Sequence, residues 1–301
     1  MTDDRSKPGS RKPNFFILGA PKCGTTSLAR WLAQHPNIFI SPEKEPHFFN
    51  TDDPRRAVSS LDEYEALFSG AREDHLAIGE ASVWYLSSSA AVPNILRYQP
   101  DAKFIVMVRN PIQMAPALHG EMVLSGHENI RDFAVAWNLQ DERCQGRKLP
   151  AFTWAKRRLL YSEVCSLGKQ LKWLLSLAPT SRILVIVLDD ICADARHEYL
   201  RVLEFLGVPD DGRVCFPAYN TSRRLRWPRL TRSLFMLSQL KRKMGLGRQL
   251  HLTKHLQAAN VTAQPRPTLS TGIFAVLANY FESDINLLSH LLEKDFHSWL
   301  A

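Results

Sequence analysis

Short runs of apolar residues recur along the chain and are separated by longer stretches with helical spacing. Runs of this length, with few polar residues, are typical of strands that are covered on both faces of a sheet. The sequence therefore predicts strands at 15–18, 38–40, 103–108 and 183–188, and a further strand that runs into a loop within 78–86.

Apolar residues three and four positions apart predict helices between and after these runs. The predicted helices cover 28–35, 61–69, 112–124, 155–177, 199–206 and 272–300. Strands that alternate with helices are typical of an α/β fold, with a mostly parallel central sheet flanked by helices. Because 301 residues with 45% apolar content can bury one core, we predict a single domain over 14–301 after a disordered tail over 1–13.

The first predicted strand runs into a turn bounded by glycines, and three hydroxyl-bearing residues open the helix that follows. Backbone N–H groups and the helix dipole at such an N-terminus favour an anion. We interpret this turn as a phosphate- or sulfate-binding loop. A Walker A loop needs a lysine directly after its second glycine, but Thr25 stands there and Lys22 lies inside the loop, which argues against an ordinary ATP or GTP hydrolase. The candidate binding residues are Pro21, Lys22, Cys23, Gly24, Thr25, Thr26 and Ser27.

The formal net charge of +8 is concentrated in residues 221–270, which carry eleven Lys or Arg and no Asp or Glu and which we predict to be an irregular segment. The rest of the chain is therefore net negative. Such a segment suits an anionic cofactor, an acidic acceptor or an anionic membrane surface, or is a basic face turned to solvent. Nucleic acid is not an expected partner, since no recognised binding motif accompanies the charge.

The cysteines and the N-terminal residues indicate the compartment. The five cysteines are scattered, without a C-x-x-C pair or metal-ligand spacing, so we expect reduced thiols and no metal site. Residues 1–12 are polar and charged and contain no apolar run, so neither a secretory signal nor a membrane anchor is expected there. The expected location is the cytoplasm. The sequence does not indicate the oligomeric state.

Motifs in order over residues 14–300 resemble sulfotransferases that use 3′-phosphoadenosine 5′-phosphosulfate (PAPS), particularly the bacterial and heparan-sulfate-type branch. The internal lysine and the tail Gly-Thr-Thr-Ser resemble the 5′-phosphosulfate loop of that family. The segment 44–49, Lys-Glu-Pro-His-Phe-Phe, resembles the Lys-Glu-x-His-Phe-Phe loop of the branch. Further matches are Gly79-Glu80-Ala81-Ser82 with Tyr85, Val108-Arg109-Asn110-Pro111, and a C-terminal half that runs from Tyr161 to Trp299.

The resemblance implies transfer of a sulfuryl group from PAPS to an acceptor hydroxyl on a glycan, lipid or small metabolite, leaving adenosine 3′,5′-bisphosphate and needing no metal. It implies that Lys22 covers the bridging oxygen, that Glu45 is the base and that His47 orients the acceptor or assists proton transfer. It also implies that Arg109 holds the 3′-phosphate and that Arg266 closes over the nucleotide. The aromatic residues around Glu45 predict that desolvation raises the pKa of its carboxyl.

Two positions depart from the family pattern. Ala117, after an unusual Pro116, stands where the family carries a serine that contacts the 3′-phosphate, and Ala81 replaces a lysine of the heparan-type enzymes. The missing contacts leave open a catalytically impaired nucleotide-binding scaffold of the same fold. A P-loop kinase is a third interpretation, which Thr25 opposes.

Overall fold

The computed structural model describes residues 11–54, 57–151, 153, 156–219, 223–225, 233, 261–263 and 269–301. They pack as two compact units. The first is formed by Met1–Arg109 and Lys169–Tyr219, and the second by Asn110–Gly168 and Asn220–Ala301. The single domain predicted over 14–301 stays a prediction.

The first unit is built on a sheet of five strands. These are β1 (Phe15–Gly19), β2 (Ile38–Ile40), β3 (Ala77–Ala81), β4 (Lys103–Val108) and β5 (Ile183–Val187). They lie in the order β2-β3-β1-β4-β5, and every pairing between neighbours is parallel. Because all strands point the same way, their carboxyl ends share one edge, where open α/β sheets bind ligands.

Helices follow most of the strands. In chain order they are α1 (Thr25–Leu32), α2 (Leu61–Ala66), α3 (Ala91–Tyr98), α4 (Pro111–Leu124), α5 (Phe133–Trp137), α6 (Gln140–Cys144), α7 (Tyr161–Val164), α8 (Leu167–Leu177), α9 (Leu188–Ala193), α10 (Ala195–Leu206) and α11 (Thr271–Leu292). In the first unit, α1, α9 and α10 contact the sheet. The predicted α/β fold, with a parallel sheet flanked by helices, is confirmed.

Several predicted bounds in the first unit need correction. Helix α1 ends at Leu32 and not at His35, because the chain already turns before Pro36. The strand predicted over 183–188 ends at Val187, because Leu188 already begins α9; Asp189 and Asp190 lie in the first turn of that helix. Negative side chains are favoured at that end of a helix. Helix α3 was not predicted. Helix α10 ends as predicted at Gly207, which has a left-handed φ of 74°.

The second unit contains α4 to α7 and α11, with α4 packed against both α7 and α11. Helix α4 continues through Pro116 without a break. A buried ion pair fixes the interior: the Arg143 guanidinium donates to the two oxygens of Glu128 at 2.7 and 3.0 Å. The Tyr161 hydroxyl donates to the same carboxylate at 2.8 Å. Buried charges are tolerated when they are paired in this way.

The continuous helix predicted over 155–177 is wrong. The chain instead forms a 3-10 turn at Arg157–Leu159, then α7, and then α8 after a break at residues 165 and 166. At the break the Ser166 hydroxyl donates to the Ser162 carbonyl at 2.7 Å, a side-chain bond that competes with helical pairing. The helix predicted over 272–300 ends at Leu292, and a separate 3-10 turn covers His297–Leu300. Helices α5 and α6 were not predicted.

The predicted tail and basic segment lie mostly outside the described residues. Within the basic segment, β6 (Arg223–Leu225) pairs antiparallel with β7 (Val261–Ala263), so the irregular structure predicted for 221–270 is wrong for these six residues. At the end of the predicted tail, Arg11 donates to the His75 carbonyl at 2.9 Å, and disorder over 1–13 stays a prediction. Over the part of the chain that is described, no helix has the length and hydropathy to cross a bilayer.

Candidate active site

The loop between β1 and α1 forms the centre of the site. Gly24 precedes α1 with a left-handed φ of 91°, and Lys22 has a φ of 65°. Gly19 is required at the end of β1, since a Cβ there would lie 2.5 Å from the Val83 carbonyl oxygen. Exposure alternates along the loop: Lys22, Gly24 and Thr26 are partly exposed, whereas Pro21, Cys23, Thr25 and Ser27 are buried.

Two of the buried loop side chains have structural contacts. The Ser27 hydroxyl accepts a hydrogen bond from the Tyr219 amide at 3.0 Å. The Cys23 thiol is fully buried, and burial raises its pKa to about 12 against the nearby charges of Arg109 and Lys22. Cys23 is therefore held as a neutral thiol and not as a nucleophile.

Arg109 follows the carboxyl end of β4, the strand beside β1. It is buried, with 2% of its surface exposed, and its guanidinium donates to the Lys22 carbonyl at 3.2 Å. Arg109 thus anchors the loop between β1 and α1 through the Lys22 carbonyl and brings a permanent positive charge to it.

The loop that carries Glu45 and His47 is tied to the carboxyl end of β3, on the other side of β1. The Glu45 amide donates to the Ala81 carbonyl at 3.1 Å, and the His47 amide donates to the Ser82 hydroxyl at 3.2 Å. Both residues have left-handed backbones, with φ of 63° and 52°. The structure therefore brings the predicted base and the phosphate loop to neighbouring strand ends.

The pKa of the Glu45 carboxyl shifts in the direction opposite to the one that the sequence predicts. Lys44 Nζ lies 2.9 Å from Glu45 Oε1, and His47 Nε2 lies 3.3 Å from Glu45 Oε2. Burial raises the pKa of the carboxyl, but the hydrogen bond from His47 and the positive charge of Lys44 outweigh burial and lower the pKa to about 2. The predicted rise in the pKa of Glu45 is therefore wrong.

His47 has one satisfied and one unsatisfied nitrogen. The side chain is 9% exposed, and its Nε2 faces Glu45. Its Nδ1 is buried and has no hydrogen-bond partner within the described part of the chain. A buried polar atom without a partner is costly and suits a group that a ligand or water will contact.

The motif Gly79-Glu80-Ala81-Ser82 contains a carboxylate, Glu80, whose role the sequence did not predict. Glu80 lies on β3 and is fully buried. Its carboxylate accepts hydrogen bonds from the hydroxyls of Tyr64, Ser82 and Tyr85 at 3.0, 2.7 and 2.9 Å. Burial raises its pKa to about 7 despite these bonds. The signal in the sequence was a carboxylate in an otherwise apolar strand, which requires partners.

Not every predicted site residue is described. Arg266 and most of the basic segment lie outside the described residues. Across the ranges that the structure covers, no group of His, Cys, Asp or Glu side chains is arranged to hold a metal ion.

Comparison with known proteins identifies the class to which this loop and sheet belong. A family model described as "Sulfotransferase domain" matches residues 12–215. A crystal structure of a sulfotransferase from Alicyclobacillus acidocaldarius superposes with a TM-score of 0.71 and 26% identity, covering 97% of this chain and 100% of that one. The chain belongs to the sulfotransferase family.

Curated relatives include enzymes that act on carbohydrates. Human heparan sulfate glucosamine 3-O-sulfotransferase 6 is 29% identical over 206 residues, covering 67% of this chain and 55% of the relative. Human carbohydrate sulfotransferase 15 is 32% identical over 143 residues, covering 34% of this chain and 26% of the relative. The chain thus spans from about a quarter to about half the length of these relatives.

Proposed function

We propose that this protein transfers a sulfuryl group from PAPS to an acceptor hydroxyl. One observation carries the proposal. Five non-glycine residues in the described ranges have a left-handed backbone, namely Lys22, Glu45, His47, Lys148 and Glu293. Three of them are the residues to which the family resemblance gives catalytic roles. Backbone strain of this kind concentrates at functional sites, because the surrounding structure must hold it.

The residues at the loop fit the 5′-phosphosulfate end of PAPS. The N-terminus of α1 offers backbone N–H groups and a favourable dipole to an anion. Lys22 and Arg109 add positive charge beside it. In the transfer, the acceptor oxygen forms a bond to sulfur while the bond between sulfur and the bridging phosphate oxygen breaks. Lys22 lies inside the loop, a position that suits it to stabilise the negative charge that develops on that phosphate.

Glu45 receives the proton of the acceptor hydroxyl in this proposal. A carboxylate with a pKa near 2 is a weak base, and the exposed Lys44 contributes to that low value. An acceptor that displaces Lys44 from Glu45 would raise the pKa of the carboxyl and make Glu45 a better base. His47 keeps the carboxylate oriented through its Nε2. The names of the relatives put carbohydrate hydroxyls first among the acceptors to assay.

Thermal-shift measurements with adenosine 3′,5′-bisphosphate, ADP and ATP test the proposal, since a ligand that binds the folded state raises its melting temperature. We expect stabilisation by the bisphosphate and much less by ADP or ATP. Preference for ATP would favour a kinase, and no response to any nucleotide would favour a scaffold. Incubation with sulfur-labelled PAPS and a panel of glycans, phenols and lipids then tests transfer directly.

A further inference from the structure

The loop that carries Glu45 and His47 is held by side chains and not only by backbone pairing. The His47 amide donates to the Ser82 hydroxyl at 3.2 Å. Two residues further on, the Phe49 amide donates to the Tyr85 hydroxyl at 3.2 Å. Both hydroxyls belong to residues that follow β3. Two alternate amides of the loop therefore depend on hydroxyl groups for their acceptors.

Both hydroxyls are oriented by the same carboxylate. Ser82 donates to Glu80 Oε2 at 2.7 Å, and Tyr85 donates to Glu80 Oε1 at 2.9 Å. A hydroxyl has a single proton and two lone pairs. Because the ionised carboxylate of Glu80 can only accept, each proton is directed to it and the lone pairs are left to accept from the loop amides. Glu80, Ser82 and Tyr85 are fully buried, so water does not compete for these bonds.

We propose that Glu80 is a positioning residue for the transfer reaction and that it acts through Ser82 and Tyr85 on the backbone of His47 and Phe49. The inference rests on the proposed function. The left-handed backbones of Glu45 and His47 persist only if the surrounding structure holds them. Chains of hydrogen bonds in a dry interior reinforce one another. The carboxylate of Glu80 therefore fixes the geometry of a loop that it does not itself touch.

The molecule offers a matched control in Tyr64. Its hydroxyl also donates to Glu80 Oε1, at 3.0 Å, and its ring stacks on Phe48 at 4.6 Å. Within the described residues, no loop amide donates to this hydroxyl. Tyr64→Phe and Tyr85→Phe therefore remove the same kind of bond from the same oxygen, but only Tyr85→Phe also removes the acceptor of a loop amide.

The experiment compares Ser82→Ala, Tyr85→Phe and Tyr64→Phe in the full chain, with Glu80→Gln as a fourth variant. Each of the first three removes one hydroxyl, so these variants remain informative if Glu80→Gln does not fold. We expect kcat to fall roughly tenfold or more in Ser82→Ala and Tyr85→Phe, with the KM for PAPS unchanged, since small displacements of catalytic groups are costly. Tyr64→Phe should stay within about twofold of wild type.

Amide hydrogen exchange supplies a readout that does not need activity. We expect faster exchange at His47 in Ser82→Ala and at Phe49 in Tyr85→Phe, and at both amides in Glu80→Gln. Equal rates and equal exchange in Tyr85→Phe and Tyr64→Phe would overturn the inference. If wild type transfers no sulfuryl group, the proposed function fails, and the exchange measurement still decides whether Glu80 holds the loop.

Discussion

At the scale of single residues, Glu45 has both a paired charge and a strained backbone. The residue combines a left-handed φ of 63° with contacts to Lys44 and His47. These contacts hold the ionised carboxylate in one position, and the positive charge of Lys44 offsets its negative charge. The same contacts that orient the carboxylate also lower its pKa to about 2, so that it would be a weak base in the proposed transfer.

The low pKa of Glu45 gives a spectroscopic prediction. The carbon-13 shift of its carboxyl should stay constant from pH 8 to about pH 4, because a lowered pKa keeps the group ionised throughout that range. In His47→Ala the hydrogen bond that lowers the pKa is lost, so the midpoint should move up toward the ordinary value. A wild-type midpoint above the ordinary glutamate range would contradict the prediction.

The side chain of Lys22 should be necessary for transfer but not for folding. We expect Lys22→Ala to lower kcat by about 100-fold or more, since contacts to charge that develops in a transition state are usually worth that much. The melting temperature should be unchanged. Lys172→Ala, at an exposed position of α8, is the control and should retain full activity. Retention of more than about a tenth of the rate in Lys22→Ala would count against the assigned role.

Glu80 should make the stability of the protein depend on pH. Burial raises its pKa to about 7 in the folded state, so the folded protein keeps a proton that the unfolded chain has lost. Wild type should therefore lose about 3 kcal/mol of unfolding free energy relative to Glu80→Gln as the pH rises from about 4.5 to 7. Urea denaturation of both proteins at several pH values measures this difference. A difference that is independent of pH would contradict the prediction.

At the scale of elements, close packing against α11 limits which residue can stand in the first turn of α8. The Gly168 amide, at the start of α8, donates to Asp284 Oδ2 on α11 at 2.9 Å. A Cβ at residue 168 would lie 2.5 Å from the Asp284 carbonyl oxygen. This contact requires glycine at residue 168, because the backbone of α11 occupies the space that a side chain would need.

Two glycine-to-alanine substitutions separate packing from helix propensity. Gly168→Ala should destabilise the protein by about 1–3 kcal/mol, because the new methyl group overlaps a backbone atom. Gly120→Ala in α4 should stabilise it by up to about 1 kcal/mol, because alanine is the better helix former and no atom lies within 4 Å of the added Cβ. Chemical denaturation measures both, and equal effects would refute the packing argument.

At the scale of the whole molecule, the charge is unevenly distributed along the chain. The net charge is +8, yet residues 221–270 alone carry eleven cations and no anion. Most of that segment lies outside the described residues, so its partner is a matter of prediction. Because PAPS and sulfated products are anionic, we propose that the segment attracts them over distances of about a Debye length.

Salt should therefore weaken the apparent affinity for the donor. We expect the KM for PAPS to rise several-fold between about 50 and 300 mM salt, since screening shortens the reach of the segment. Replacement of Lys241, Arg242 and Lys243 by glutamine should flatten this dependence. Replacement of three exposed cations elsewhere, Lys169, Lys172 and Arg131, serves as the control for charge number. The same salt dependence in both triple variants would assign the basic segment to another partner.

The sequence by itself determined the features that depend on neighbours along the chain. The runs that became β1, β2, β4 and β5 were predicted because a strand buried on both faces must be apolar almost throughout. The turn between β1 and α1 was predicted because its glycines and hydroxyls lie within a few consecutive residues, whereas phosphate binding there stays a prediction. The turn at Gly207 was predicted because a left-handed helix end favours glycine.

Only the tertiary structure decided the features that depend on residues far apart in sequence. The helix predicted over 155–177 is interrupted in the folded chain. The Ser166 hydroxyl donates to the Ser162 carbonyl, and the Gly168 amide donates to Asp284 on α11. The tertiary structure lowered the pKa of Glu45, because the orientation of Lys44 and His47 toward one carboxylate is set by a left-handed loop that no spacing rule predicts. It brought Tyr64 and Tyr85 to Glu80, since the energy of a buried charge depends on the partners that folding places around it.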